Sequence, residues 1–174
     1  PPSDCLAETI EKDKAGSFFS SITGTANLND LKSSDMVIEA IFENFQVKAE
    51  LFKTLSGILE KETIIATNTS SFSVTELSAN VSFPERFAGL HFFYHAAKNR
   101  LVEIIPGEKT SSDTMESMKL FSIKAGKDSI VCADAYGFVV NRFFIVWLNE
   151  AVKIFEDGIA TKEEIDFACM QVFG

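Results

Sequence analysis

The sequence lacks the features of several classes of protein. Lys and Arg together number 16 against 25 Asp and Glu, a net charge of −9, so there is no basic stripe to neutralise the phosphates of a nucleic acid. The three cysteines, Cys5, Cys132 and Cys169, are scattered and odd in number, which predicts free thiols in a reducing compartment rather than disulfides. No apolar run approaches the ~20 residues that cross a bilayer, so we expect no membrane span.

Motifs of other catalytic classes are also absent. No GxSxG turn surrounds Ser70, which argues against a serine hydrolase, although a serine nucleophile with a histidine and a glutamate stays conceivable. The only histidines are His91 and His95, and the acids are scattered, so no spacing predicts a metal site. His95 lies in a polar loop, where we expect it to have no role. The first residues resemble neither a secretory signal nor a mitochondrial presequence, so we expect an intracellular protein.

Alternating strand and helix patterns predict an α/β fold. Apolar runs predict strands over residues 36–41, 63–67, 86–92, 101–105 and 129–133, and a short strand is predicted around 21–23. Helices are predicted over about 4–14, 44–61, 74–80 and 112–125, with a brief helical link over 27–32. This alternation indicates a largely parallel sheet with helices on its faces.

From Gly137 the pattern becomes helical. Residues 138–155 are apolar on nearly every side, which predicts a helix that neighbours bury on most sides. Thr161 followed by Glu164 predicts a capping box that opens a second helix. So much apolar surface has no partner in this sequence. We therefore expect a first domain over 1–136, then the start of an all-helical domain over 137–174 that forms a homodimer.

His91 and Glu103 are the strongest candidates for chemistry. His91 follows the apolar run 86–90, and Glu103 lies inside the apolar run 101–105, where a carboxylate needs a partner. Because only a short loop separates the two runs, we predict neighbouring strands and a His91–Glu103 pair. A carboxylate on one ring nitrogen fixes the tautomer and leaves the other nitrogen to exchange a proton. A lone histidine at a strand end can also be structural, and the pattern alone leaves both interpretations open.

Five other polar side chains have simpler explanations by spacing alone. Ser70 and Ser71 follow the second apolar strand and suit a turn or a helix N-cap, although Ser70 could bond a substrate oxygen. Asn141 is an amide on the apolar helix that needs a partner, which can be the backbone. Glu43 and Lys48 flank the first turn of a helix, where spacing alone predicts a solvent-exposed pair.

Five segments, taken in order, strongly resemble the 3-hydroxyacyl-CoA dehydrogenases of fatty-acid β-oxidation. They are SSDMVIEAIFENFQVK, ATNTSSFSVTEL, RFAGLHFF, LVEIIP and GFVVNR, and the resemblance covers about residues 31–174. The spacings of twenty-one residues from Ser70 to His91 and of twelve from His91 to Glu103 both suit the family. The resemblance implies part of a Rossmann-type doubly wound sheet followed by the first helices of an all-α C-terminal domain.

The resemblance also implies the NAD-dependent oxidation of an L-3-hydroxyacyl-CoA to the 3-ketoacyl-CoA. His91 would remove the hydroxyl proton, and Glu103 would orient His91. Ser70 would contact the substrate oxygen near the nicotinamide, and Asn141 would help to hold the acyl head. The cofactor contacts would fall on Ala40, Glu43, Lys48 and Ser70. The implied location is mitochondrial or peroxisomal in a eukaryote and cytoplasmic in a bacterium.

Two departures from the family pattern bear on activity. The family opens with a GxGxxG turn that holds the pyrophosphate of the cofactor, and none of the nine glycines here forms that spacing. We therefore expect that the first βαβ unit is missing and that the helical domain stops after its second helix. Without the phosphate loop, we expect little or no activity from this chain alone.

The second departure is the loop after His91, which reads FYHAA. Tyr94 stands where the family has an asparagine that contacts the nicotinamide side of the cofactor. The sequence therefore leaves an alternative function, a non-catalytic truncated homologue that acts as a binding or structural subunit. A third possibility keeps the dehydrogenase chemistry and changes the substrate to 3-hydroxybutyryl-CoA or a free hydroxy acid.

Overall fold

The computed structural model describes residues 19–173. The strands are β1 (Met36–Glu39), β2 (Ile64–Thr67), β3 (Phe87–Phe92), β4 (Leu101–Pro106) and β5 (Asp128–Val131). The α-helices are α1 (Phe45–Ile58), α2 (Val74–Ser78), α3 (Ser112–Lys124), α4 (Val140–Glu156) and α5 (Lys162–Phe173), and short 3-10 turns occupy Leu28–Leu31 and Pro84–Arg86. These elements match the predicted strands and helices with shifts of a few residues at their ends.

The short strand predicted around 21–23 is wrong. This segment is irregular, and Ile22 is 71% exposed, with no neighbouring strand. The segment is exposed throughout and belongs to no strand pair of the sheet, so its backbone gains no ladder of hydrogen bonds. Just after it, the Thr25 hydroxyl accepts the N–H of Asn27, and the Asn27 side chain caps the 3-10 turn that follows. The helix predicted over 4–14 lies outside the described residues.

The sheet has the strand order β1-β2-β3-β4-β5. β1, β2 and β3 run parallel, β4 runs antiparallel to β3, and β5 is parallel to β4. The sheet is therefore largely parallel, as predicted, with one antiparallel pairing where a loop joins β3 to β4 in place of a helix. Right-handed crossovers then put α1 and α2 on one face of the sheet and α3 on the other.

Two apolar clusters, one on each face of the sheet, form the core. Phe52 and Leu55 of α1 and Leu77 of α2 pack against Ile65, Phe87 and Ile105. On the other face, Met118 of α3 packs against Ile64, Ala66, Leu90 and Ile104. Neighbouring residues of one strand, such as Ile64 and Ile65, enter opposite clusters because side chains alternate along a strand.

The helices α4 and α5 have no comparable core. No residue of α4 is buried, and its apolar side chains include Phe143 at 61% and Phe155 at 53% exposure. Within residues 19–173 the sheet and α3 do not cover this helix, in keeping with the expectation that its apolar surface has no partner in this sequence. Its burial by other neighbours stays a prediction. Among residues 19–173, no helix combines the length and apolarity needed to cross a membrane.

Candidate active site

The antiparallel pairing of β3 and β4 places His91 directly opposite Glu103. The imidazole Nδ1 lies 2.7 Å from Oε2 of Glu103, a carboxylate with no exposed surface. The predicted His91–Glu103 pair is therefore present. Because a buried carboxylate accepts the proton of Nδ1, the lone pair of the neutral ring lies on Nε2.

The other oxygen of Glu103 holds the start of α4. Its Oε1 accepts the backbone N–H groups of Val139 at 3.0 Å and Val140 at 2.9 Å. The preceding turn has positive φ at Gly137 (75°) and at Phe138 (45°), a conformation that L side chains rarely adopt. This turn aims the two N–H groups at the carboxylate. Glu103 thus joins His91 to the first turn of α4.

Aromatic side chains surround His91. The ring centroid of Phe93 lies 4.7 Å from that of His91, and the buried ring of Phe138 lies 5.6 Å away. The histidine itself is 5% exposed, and Nε2 makes no hydrogen bond within residues 19–173. An imidazole in such a shielded place, with one nitrogen fixed and one unbonded, is suited to general base catalysis.

The loop after β2 is held by the carboxylate of Glu43. Oε1 of Glu43 accepts the backbone N–H groups of Ser70 at 3.0 Å and Ser71 at 3.2 Å, as well as the hydroxyls of Thr69 and Ser71. Burial alone raises the pKa of Glu43, but the hydrogen bonds from Thr69, Ser71 and Lys48 outweigh it and lower the pKa. The carboxylate is therefore charged at neutral pH.

Lys48 lies beneath this loop and not on the surface. Its side chain is 1% exposed, and Nζ lies 2.6 Å from Glu39 Oε1 and 3.2 Å from Glu43 Oε2. The interpretation from spacing alone, a solvent-exposed Glu43–Lys48 pair, is wrong because α1 packs with this face against the end of β1. Lys48 also contacts Glu39, which lies on β1 and could not be found from spacing along the helix.

The remaining sequence-predicted residues lie around the same loop. The amide nitrogen of Asn141 lies 3.4 Å from the backbone oxygen of Ser70. Ser70 is exposed, as is Ala40, which directly follows β1. Asn68 ties these groups to the histidine strand, since its side-chain oxygen accepts the N–H of Phe92 at 2.8 Å. The structure thus gathers all the predicted site residues at the carboxyl ends of β1, β2 and β3.

Sequence reasoning missed three polar residues of this region. Glu39 ends an apolar strand, and the argument applied to Glu103, that a carboxylate in such a run needs a partner, would have found it. Asp134 accepts the Ser73 hydroxyl and the N–H groups of Val74 and Thr75, which fixes the segment before Gly137 to the start of α2. Asp134 and Asn68 carry no distinctive spacing.

Neither thiols nor metals add to the site. Burial first, and then the charges of Glu103 and Asp134, raise the pKa of Cys132 to about 11, so the thiol is protonated and a weak nucleophile at neutral pH. Cys132 and Cys169 are both free. In the described part of the chain, no three His, Cys, Asp or Glu side chains come together as metal ligands.

Two family models match this chain. The model described as "3-hydroxyacyl-CoA dehydrogenase, NAD binding domain" matches residues 4–135, and the model of the C-terminal domain of the same family matches residues 137–174. The chain belongs to the 3-hydroxyacyl-CoA dehydrogenase family. The family resemblance stated from the sequence is therefore confirmed.

Named relatives of this family are similar over most of the chain. A 3-hydroxybutyryl-CoA dehydrogenase of Clostridioides difficile is 42% identical over 149 residues, 86% of this chain and 53% of that protein. The mitochondrial hydroxyacyl-coenzyme A dehydrogenase of Sus scrofa is 44% identical over 164 residues, 91% of this chain and 52% of that protein. The chain therefore spans about half the length of these curated relatives.

Solved structures of the family have the same fold. The (S)-3-hydroxybutyryl-CoA dehydrogenase PaaH1 of Ralstonia eutropha has a TM-score of 0.86 and 39% identity, and the similarity covers 90% of this chain and 56% of that one. FadB2 of M. tuberculosis has a TM-score of 0.88 and 32% identity, with coverages of 94% and 58%. The fold is therefore α/β of the Rossmann type, as the resemblance implied. Since the relatives carry the names of enzymes, nothing here favours the non-catalytic alternative.

Proposed function

We propose that this chain carries the catalytic groups of an NAD-dependent dehydrogenase that oxidises an L-3-hydroxyacyl-CoA to the 3-ketoacyl-CoA. The observation that supports this most is the His91–Glu103 pair, whose 2.7 Å bond leaves Nε2 to act on a substrate. Membership of the family and the names of the relatives supply the reaction class.

His91 is the proposed general base. Its Nε2 lone pair takes the proton of the substrate hydroxyl as the C3–H bond breaks. The proton remains on the imidazole, and the buried carboxylate of Glu103 stabilises the resulting imidazolium. In the reverse direction the imidazolium returns the proton to the oxygen of the 3-keto group. Glu103 needs no proton of its own in either direction.

Ser70 and Asn141 are the proposed substrate-positioning residues. The exposed hydroxyl of Ser70 is available as a donor to the reacting oxygen, and its backbone oxygen lies 3.4 Å from the amide nitrogen of Asn141. Asn141 is in the first turn of α4, which Glu103 also holds. Holding the hydroxyl in line with His91 converts the proton transfer into an intramolecular step.

The end of β1 and the loop after β2 fit the nicotinamide half of NAD. The carboxylate of Glu43 is 36% exposed, so it can accept hydrogen bonds from ribose hydroxyls, while Ala40 leaves room beside it. NAD bound there would supply the acceptor for the hydride that leaves C3. Lys48 is covered, so we assign its effect on the cofactor to the support it gives Glu43.

The helical region, residues 137–174, is proposed to begin a separate domain through which two copies of the protein associate. The exposed apolar side chains of α4 and α5, among them Phe143, Phe155 and Phe167, support this. The expected result is a dimer in analytical ultracentrifugation of the longest natural chain that contains this sequence, and a monomer would contradict it. We also propose an intracellular location, in a mitochondrion or peroxisome of a eukaryote or in the bacterial cytoplasm. One named relative is mitochondrial and another is from a bacterium.

The direct test is the oxidation of NADH with acetoacetyl-CoA by the longest natural chain that contains this sequence. The substitution His91→Gln should lower kcat by about 10²–10⁴-fold, the usual contribution of a general base. The matched control is His95→Gln, which changes the only other histidine, in the exposed loop after β3, and should leave the rate unchanged.

The same assay distinguishes the alternatives. Full activity of the His91→Gln variant would refute the proposed mechanism, and an inactive natural chain would favour a binding or structural subunit. The 174-residue chain without further segments should show little activity, because the sequence holds no GxGxxG turn for the pyrophosphate. Comparing acetoacetyl-CoA with a long-chain ketoacyl-CoA would define the substrate.

A further inference from the structure

A carboxylate that the proposed reaction does not use lies beneath the loop after β2, next to the proposed cofactor contacts Ala40 and Glu43. The side chain of Glu39, the last residue of β1, has no exposed surface. Its Oε1 accepts the backbone N–H of Ile41 at 2.7 Å and lies 2.6 Å from Nζ of Lys48, while its Oε2 accepts the hydroxyl of Thr67 at 2.6 Å. Burying a carboxylate is costly unless it is paired and hydrogen-bonded, and here both oxygens are used.

Lys48 is held just as fully. Its ammonium group has three protons, and three acceptors surround it: Glu39 at 2.6 Å, Glu43 at 3.2 Å and the backbone oxygen of Ile41 at 3.4 Å. The shortest of these contacts, to Glu39, joins two buried side chains, whereas the carboxylate of Glu43 is partly exposed. Glu39 therefore determines where the flexible lysine side chain ends.

Glu43 connects the buried Glu39–Lys48 pair to the surface of the protein. One oxygen of its carboxylate contacts Lys48, and the other accepts the N–H groups of Ser70 and Ser71. Charges thus alternate from Glu39 through Lys48 to Glu43, and the series ends at the loop that carries Ser70. Moving any member outward would break the bonds of the next.

We propose that Glu39 is a positioning residue of the candidate active site. It holds Lys48 below the surface, and Lys48 in turn fixes Glu43 under the loop that carries Ser70. The functional consequence rests on the proposed function, because Ser70 and Glu43 are the groups assigned there to substrate and cofactor. The positioning itself is a property of this chain alone.

The substitution Glu39→Gln separates the charge of this residue from its hydrogen bonds. A glutamine oxygen can still accept from Ile41 and Lys48, and its amide can donate to the Thr67 hydroxyl. What disappears is the negative charge that keeps the ammonium group buried. Lys48 and Glu43 then remain as a neutral pair that is free to move into water as an ordinary exposed ion pair, which releases the N–H groups of Ser70 and Ser71.

Amide hydrogen exchange of the longest natural chain measures this release directly. In Glu39→Gln, protection of the Ser70 and Ser71 amides should fall about tenfold, which corresponds to ~1.4 kcal/mol. The amides of Val139 and Val140, which donate to Glu103, are the internal control and should not change. Glu62→Gln, at a side chain that is 63% exposed, is the matched control variant.

Steady-state kinetics give the functional measurement. The KM for NADH should rise about tenfold in Glu39→Gln, because Glu43 loses its fixed position in the cofactor site. The value of kcat should fall as well, because the loop that places Ser70 against the reacting oxygen is released. A role in stability alone would move neither KM nor the two serine amides selectively.

Each result decides the proposal. Unchanged exchange at Ser70 and Ser71, or equal loss at all four amides, would overturn it. If Glu39→Gln does not fold, the charge-neutral double variant Glu39→Gln, Lys48→Met must show the same selective loss, and failure of both to fold would also overturn it. A natural chain that neither binds nor oxidises NADH would refute the proposed function, while the exchange data would still decide whether Glu39 positions the loop.

Discussion

The sheet region, residues 36–131, and the two helices of the helical region, α4 and α5, use their apolar residues differently. In the sheet region, Phe52, Phe87 and Met118 have no exposed surface, whereas Phe143, Phe155 and Phe167 of the helices are more than half exposed. Both regions are rich in Phe, so composition does not explain the contrast. The sheet region completes its core within this chain, whereas the apolar side chains of the helices stay uncovered by the described residues.

Glu103 is the point where the two regions meet. One of its oxygens bonds His91 on β3, and the other accepts the N–H groups that open α4. No side chain other than Glu103 caps the first turn of this helix. The comparison therefore teaches that the proposed catalytic pair belongs to both regions, although only one of them is packed.

The largest expected effect is a loss of kcat in Glu103→Gln, which changes the residue that contacts both regions. The amide oxygen can still cap α4, but the amide nitrogen then faces the Nδ1–H of His91, and the ring must move its proton to Nε2. Because Nε2 then has no lone pair for the substrate proton, we expect kcat to fall about 10³-fold. The assay is NADH oxidation with acetoacetyl-CoA.

Glu116→Gln is the control for that substitution, since Glu116 is an exposed acid on α3. If Glu103→Gln instead retained most of the activity of the parent protein, the proposed orientation of His91 would be wrong. A loss that appears together with melting of α4 in circular dichroism would assign Glu103 to the helical region alone.

Because the sheet region is packed and the helices are exposed, the same Phe→Ala substitution should lower the free energy of unfolding by different amounts in the two regions. Phe52→Ala in α1 should lower the free energy of unfolding by about 3–5 kcal/mol, because it opens a cavity in a closed core. Phe155→Ala in α4 should change it by less than ~0.5 kcal/mol, because the side chain is already 53% exposed. Urea unfolding of the 174-residue chain measures both. Equal losses would mean that α4 is covered after all.

The smallest expected effect is the loss of stability in Asp134→Asn. Burial by itself raises the pKa of Asp134, but hydrogen bonds from Thr75, Ser73 and Val74 outweigh it and lower the pKa. Asp134→Asn removes the charge that receives these bonds and should destabilise the protein by about 1 kcal/mol at pH 7. Thermal unfolding measures the loss, and Asp166→Asn on the exposed surface of α5 is the control.

The pH dependence of this loss has a definite sign. A carboxyl group with a lowered pKa in the folded state contributes stability above its unfolded pKa, about 3.9, and loses it as the pH falls through the folded value. The difference between the parent protein and Asp134→Asn should therefore be constant from pH 5 to 8 and shrink below about pH 4. A difference that grows in acid would contradict the assignment.

Much of the sheet region could be predicted from the sequence. Apolar runs gave the five strands, and a carboxylate inside one of them gave the His91–Glu103 pair, because an unpaired buried charge is not tolerated. The strand around 21–23 was wrong because this short segment is exposed and has no neighbouring strand to pair with. The burial of α4 stays a prediction, because apolarity indicates that a partner is needed and does not say where it lies.

By itself, the sequence determined the order of the elements, the family and the residue types at the candidate site. The tertiary structure alone decided which of these residues meet. The pairing of β3 and β4 set His91 against Glu103, and the packing of α1 on the end of β1 buried Lys48 between two carboxylates. The physical reason is that periodicity reports which side of an element is apolar. Contacts between polar groups far apart in the chain depend on how those sides pack.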